Sequence, residues 1–164
     1  MAKLEDGVFA DNQKLSLDDL PSWLPRALFV LSLVGICVAS YLFYAHLTDP
    51  AVLACPENGT INCAKVTTSA QSKFLGLPVS LLGLAFFVSY SVVNFPAFFT
   101  SRKVAILRLA MAISSIGFVL WLVYAELLII NAICLWCSVV HLITLISFVL
   151  VVFSTVQTGV FRRL

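Results

Sequence analysis

Charge is what this sequence lacks most. Only 11% of its 164 residues are Asp, Glu, Lys or Arg, while 61% are hydrophobic, and mean hydropathy is +1.04. A water-soluble domain has roughly 25% charged and 45–50% apolar residues, so composition excludes that class. There is no basic cluster and no interleaving of basic with aromatic side chains, which excludes the usual nucleic-acid footprint. The net charge of +2 points to no partner. Internal repeats and low-complexity segments are absent too. So is a signal peptide: the first residues are acidic as well as basic, and the first apolar run is too long and has no small-residue cleavage site.

What is present is a set of long apolar runs. They cover about residues 23–47, 75–99, 104–130 and 132–157, each long enough to cross ~30 Å of hydrocarbon as a helix. Pro96, near the far end of the second, is tolerable in a membrane helix. The sequence therefore predicts an all-α integral membrane protein: a four-transmembrane-helix bundle over 23–157 with an outer capping loop at 48–74. Polar tails are expected at 1–22, with a short interfacial turn near SLDDLPSW, and at 158–164. Four spans put both termini on one side. Lys3, Lys14, Arg26, Arg102, Lys103, Arg108, Arg162 and Arg163 fall there, and only Lys65 and Lys73 on the other. The positive-inside bias makes the termini cytoplasmic and sends the 48–74 loop outward.

That orientation gathers four of the five cysteines. Cys55 and Cys63 lie in the outer loop, and Cys134 and Cys137 at the outer end of the last span, all on the oxidising face. Cys37, in the middle of the first span, reads as a small buried filler without a role. In NAICLWCSVVH, Cys134 and Cys137 are three apart and so share a helix face. A helix N-terminus favours thiolate, the species that attacks a disulfide. His141 follows one turn deeper, where a polar side chain should face the bundle interior. The alternatives are a static disulfide or two packed thiols, and a hydrogen-bonded histidine without a chemical role. In the loop, Asn58-Gly59 is a turn signal that lets Cys55 and Cys63 approach, either as a structural staple or as an exchanging pair. Asn58-Gly59-Thr60 also fits a glycosylation acceptor, but reads better as a turn.

Two cysteine pairs on one face suggest a relay. A loop pair can reach a soluble partner, and a pair at the top of a bundle can reach a lipid-soluble quinone held between helices. The chain resembles the vitamin K epoxide reductase family, particularly its bacterial members, from the first span to about residue 155. The resemblance rests on Cys55 and Cys63, on Val66 and Ser69 in CAKVTTS, on GLPVSLLGL, and on CLWC opening the last helix. It implies a four-helix bundle around a quinone of ubiquinone, menaquinone or vitamin K type, capped by the loop. Cys137 would then face the quinone in a charge-transfer or adduct contact. Cys134 would be its disulfide partner and exchange with Cys63. Cys55 would meet a thioredoxin-like extracytoplasmic oxidoreductase, expected as a separate protein because the chain ends at Leu164. Ser69 would hold the loop against the pocket. His141 falls where animal members have a tyrosine that hydrogen-bonds a quinone carbonyl. The asparagine that helps bind quinone in animal members has no counterpart; the local sequence is Pro78-Val79-Ser80. The implied activity is quinone reduction coupled to disulfide formation in a bacterial inner membrane, with vitamin K quinone or epoxide reduction as the alternative.

Other residues carry smaller expectations. Glu126, the one acid inside an expected span, would relay a proton to the quinone site or tune the thiolates; the alternative is an acid snorkelling to the interface. Tyr44 and His46 read as interfacial anchors, and Trp136 as an interface residue or a shield for the disulfide. Three rival readings remain. In quinone-linked thiol oxidases of another four-helix type, the CxxC comes in the first outer loop, the reverse of the order here. A zinc site could be built from the four cysteines and His141. A non-enzymatic four-span protein would hold two structural disulfides.

Overall fold

Helix α1 covers Trp23–Leu47. Pro25 sits in its first turn, where the backbone N–H has no intrahelical partner to lose. The helix ends at Thr48, whose N–H reaches Tyr44 O at 3.1 Å. Pro50 then disfavours helical backbone at Asp49. The computed structural model describes residues 20–99 and 101–158. Most of the expected tails, with Lys3, Lys14, Arg162, Arg163 and the first half of SLDDLPSW, lies outside the described residues.

After α1 the chain makes a short 3₁₀ turn (Pro50–Val52), a six-residue helix α2 (Cys63–Thr68), and a second 3₁₀ turn (Ala70–Ser72). A two-residue hairpin follows, β1 (Lys73–Phe74) paired antiparallel with β2 (Leu77–Pro78). Its turn residues Leu75 and Gly76 both have positive φ, 53° and 84°, the twist that suits a two-residue hairpin. Helix α3 then runs from Val79 to Val93. It is shorter than the apolar run 75–99, because the hairpin takes the residues before it. At the other end the chain leaves the helix at Asn94, before Pro96 opens a 3₁₀ turn (Pro96–Phe98). Helix α4 (Arg102–Tyr124) continues as a π-helical turn over Ala125–Ile130. Asn131 breaks it with left-handed backbone (φ 52°), which asparagine tolerates. Helix α5 covers Leu135–Gln157.

Three helical stretches, Trp23–Leu47, Arg102–Ile130 and Leu135–Gln157, are long and apolar enough to cross a membrane, and Val79–Val93 is a shorter apolar helix. Their outer faces are apolar: Val30, Leu33 and Val34 on α1, Ile113 and Leu120 on α4, and Leu142, Leu145 and Val149 on α5 are all exposed. A soluble monomer rarely shows such a continuous patch; a multi-pass membrane protein needs one. Around the bundle, α1 packs on α3 and on α5, α5 packs on α4, and α3 touches α4 more lightly. That order puts α3 diagonally across from α5. Cys37 is exposed on α1 rather than buried, so it fills no interior space.

Where α1 meets α3, the backbone comes close because Gly35 has no side chain. A Cβ there would stand 2.3 Å from the buried Phe87 ring. At the other end of α3, the buried Arg108 donates to Val93 O at 3.0 Å and lies 3.8 Å above the Phe99 ring. The cation thus meets the carbonyl end of α3, where the helix dipole favours positive charge.

Gly35→Ala forces Phe87 to move, and overpacking of this kind costs about 1–3 kcal/mol, more than the roughly 1 kcal/mol that alanine gains in a helix. Gly117→Ala, with nothing within 4 Å of the new Cβ, gains the propensity alone. Thermal unfolding in detergent should show a lower midpoint for Gly35→Ala and an equal or higher one for Gly117→Ala.

Candidate functional site

The site forms where the 48–74 segment meets the turn between α4 and α5. A parallel bridge pairs Ile61 with Ile133. Asn62 N–H donates to Ile133 O at 3.1 Å, and Ile133 N–H donates to Thr60 O at 3.0 Å. Because the two segments run in the same direction, both leave the bridge toward a helix start. Cys63 opens α2, with Asn62 Oδ1 capping Lys65 N–H at 2.7 Å. Cys134 is the N-cap of α5. The two are buried, at 1% and 0% exposure, in one cluster with Leu42, Ala45, Leu53, Val66, Ile130 and Ala132. Cys55 and Cys137 pack against the same cluster, so all four cysteines converge.

Their bonding states differ. Cys55 and Cys63 form a disulfide with Cα atoms 6.2 Å apart. Cys134 and Cys137 are free thiols. Cys134 Sγ accepts the Cys137 N–H at 3.3 Å, taking the place of a capping oxygen at the helix start. Cys134 thus precedes the helix rather than lying within it, a consequence of the Asn131 kink and the bridge at Ile133.

Two aromatic residues hold the chain before Cys55. Tyr41 Oη donates to Val52 O at 2.9 Å and accepts the Ala54 N–H at 3.0 Å. Trp136 Nε1 donates to Ala54 O at 3.1 Å, and its ring meets Tyr41 edge-on at 4.9 Å. Trp136 therefore ties the α5 helix to the Cys55 segment. Asn58 forms the expected turn, accepting the Ile61 N–H on its side chain at 3.1 Å.

Below the cysteines lies a cavity of about 410 Å³, with Cys137, His141, Ser69 and Glu126 in its wall. Cys134, Cys55 and Cys63 do not line it. Its remaining wall is mostly apolar, including Leu82, Phe86, Phe87, Phe118 and Leu122. A few polar groups in an apolar cleft of this size are what a planar lipid-soluble carbonyl compound requires, so the residues fit a quinone. Glu126 is buried, at 6% exposure, and does not snorkel. Its carboxylate accepts the Cys134 N–H at a long 3.4 Å, and its carbonyl accepts the Ala132 N–H at 3.1 Å. It therefore faces both the cavity and the backbone of the cysteine turn. Ser69 donates locally to Val66 O at 2.7 Å.

The wall also holds residues that the sequence did not single out as ligands. His46, expected as an anchor, lines the cavity, whereas Tyr44 is exposed. Thr144, one turn beyond His141, could have been found by helical spacing. Gln71, Ser72 and Ser115 come from a 3₁₀ turn and from α4, and no motif marks them.

A family model described as the vitamin K epoxide reductase family matches residues 26–152. The chain belongs to that family, whose members are membrane oxidoreductases working with thiols and quinones. No curated protein sequence matches the chain.

Tyr41→Phe removes both hydrogen bonds to the Cys55 segment; these are exposed bonds, each contributing about 0.5–1.5 kcal/mol net. Hydrogen exchange should then show faster exchange at Ala54. The Cys55–Cys63 disulfide should also be reduced faster by a small dithiol than in the parent protein.

Proposed function

We propose that this member of the vitamin K epoxide reductase family is a membrane thiol:quinone oxidoreductase that supports disulfide formation outside the cytoplasm. It crosses the bilayer four times, with α3 as a short second span of ~22 Å, a mismatch that bilayer thinning accommodates. The termini are cytoplasmic, and the 48–74 segment caps the outer end. The observation that carries the reading is the bridge at Ile61 and Ile133, which brings Cys63 and Cys134 into one buried cluster.

Electrons enter at Cys55, half-buried in the outer segment. A thiolate of a separate thioredoxin-like protein attacks Cys55 and displaces Cys63. The partner's second thiol then resolves that mixed disulfide and leaves the partner oxidised. Cys63 thiolate next attacks Cys134 of a Cys134–Cys137 disulfide, and Cys137 leaves as a thiolate facing the cavity. Cys55 attacks Cys63, re-forms the outer disulfide and frees Cys134. The combination of a closed Cys55–Cys63 bond with free Cys134 and Cys137 matches this point in the cycle. A quinone in the cavity supplies a sink for two electrons and two protons. Cys137 and Cys134 give up both as their own disulfide closes. His141 donates a hydrogen bond to a carbonyl oxygen, Glu126 carries a proton between the cysteine turn and the cavity, and Ser69 keeps the capping segment on the cavity wall. With no asparagine at Pro78-Val79-Ser80, the reading favours quinone over epoxide as substrate.

Purified protein with a reduced thioredoxin-like donor and a quinone should turn over, and Cys37→Ser should match it, while Cys137→Ser should not turn over. A folded wild-type protein that reduces no quinone with any donor would sink the enzyme reading in favour of structural disulfides. Combining Cys55→Ser with Cys137→Ser should trap a Cys63–Cys134 disulfide, visible by peptide mapping under non-reducing conditions.

Glu126→Gln keeps an acceptor for the Cys134 N–H but cannot carry a proton. Turnover should fall by ~10²-fold, the usual scale for losing a general acid–base group, with the trapped disulfide still forming. Unchanged turnover would remove Glu126 from the proton path.

A further inference from the structure

Ala54, the residue before Cys55, is held by side chains at both of its backbone groups. Tyr41 Oη, from α1, accepts its N–H at 3.0 Å. Trp136 Nε1, from between the two cysteines of α5, donates to its carbonyl at 3.1 Å. The two rings meet edge-on at 4.9 Å, so each hold supports the other. Leu53, one residue back, is buried in the cysteine cluster. Past Ala54 the supports stop. Among the described residues, Cys55, Pro56 and Glu57 make no backbone–backbone hydrogen bond before the Asn58 N–H reaches Ile61 O. Pro56 biases Cys55 toward extended backbone, so fixing Ala54 limits where the Cys55 sulfur can go.

Cys63 needs no such help. The bridge at Ile61 and the Asn62 cap hold its backbone whether or not its sulfur is bonded. Cys55 is different. While the Cys55–Cys63 bond is closed, that bond holds the sulfur in place. Once it opens, the two hydrogen bonds to Ala54 are the nearest hold on Cys55. We propose that Trp136 and Tyr41 are positioning residues for the resolving step of the relay: they keep free Cys55 thiolate within reach of Cys63, so that it attacks the Cys63–Cys134 disulfide. In that exchange the Cys55–Cys63 bond forms, the Cys63–Cys134 bond breaks, and Cys134 leaves as thiolate with no net gain or loss of electrons. The inference rests on the relay reading above. It adds what drives the relay forward, because Cys55 and Cys134 compete for one sulfur. Both hydrogen bonds to Ala54 are exposed. Losing either should lower the effective concentration of Cys55 at Cys63 by roughly 2- to 10-fold.

The test is a competition inside one molecule, with no donor and no quinone. The background is the full chain in detergent with Cys37→Ser and Cys137→Ser, which leaves Cys55, Cys63 and Cys134 to share one disulfide. The protein is oxidised, left to exchange at mildly alkaline pH and quenched with acid. The free thiol is then labelled, and mass spectrometry reads which cysteine carries the label. Label on Cys134 means that Cys55 holds Cys63; label on Cys55 means that Cys134 holds it. Adding Trp136→Phe, which keeps a ring beside Tyr41 but has no N–H, should raise the ratio of Cys55 label to Cys134 label by roughly 2- to 10-fold. Tyr41→Phe, acting from α1, should raise it in the same way. Gly35→Ala, which strains the bundle against Phe87, should lower stability and leave the ratio as it is. A ratio that does not rise in both aromatic variants, or that rises as much in Gly35→Ala, would overturn the inference. Cys55→Ser in the same background separates this from the relay itself. If Cys63 then pairs with Cys134, an unmoved ratio counts against the aromatic hold alone. If they do not pair even without their competitor, the relay reading falls with it.

Discussion

The structure depends on one short piece of irregular backbone, the turn from Ile130 to Cys134 between the last two helices. At the edge of a bilayer, every N–H and C=O there must find a partner, because hydrocarbon offers none. The chain meets that demand from three sides. Glu126 takes the Ala132 and Cys134 N–H groups, and Thr60 and Asn62 satisfy Ile133 from the loop. Satisfying the turn therefore fastens the 48–74 segment to the helices. The backbone bonds that solve a solvation problem also bring Cys63 and Cys134 into one buried cluster.

The same economy appears in the cysteine turn. Cys134 Sγ serves as the cap of α5, so the sulfur sits where backbone N–H groups and the helix dipole best tolerate negative charge. Cys137, three residues later, turns instead to the cavity. The two sulfurs of one CxxC thus serve different surroundings, one the protein cluster and the other the apolar cleft. Trp136 between them packs on the cluster rather than the cavity, and its indole N–H fixes the chain leading into Cys55. A single seven-residue stretch, from Cys134 to Val140, thereby contacts the loop, the disulfide cluster and the cavity.

Among the described residues two charged side chains are buried, at opposite ends of the bundle and in different surroundings. Arg108 is locked to the α3 terminus by a carbonyl and an aromatic face. Glu126 is held only by a long contact and borders open volume. A charge held by a carbonyl and a ring acts as a brace. The Glu126 carboxylate, with one long contact, borders the cavity instead.

The sequence alone determined the membrane-helix class and the neighbourhood of the candidate site. Apolar runs of fixed length imply membrane helices, since hydrocarbon thickness sets their length. Cys55, Cys63, Cys134 and Cys137 stood out because their spacing and their place at one end of the runs were legible without coordinates. Local spacing could not show that residues 73–78 form a hairpin, that Cys134 precedes its helix, or that Glu126 reaches back to the Cys134 backbone. The hairpin pairs near neighbours hidden inside an apolar run, Glu126 reaches Cys134 through a π-helical turn that spacing does not reveal, and the place of Cys134 depends on the distant bridge from Ile61. The openness of the cavity at Gly83 was equally hidden, because a glycine in an apolar run looks the same whether a neighbour fills its space or nothing does. Only tertiary packing distinguishes the two, by bringing Phe87 against Gly35 and leaving Gly83 facing a void.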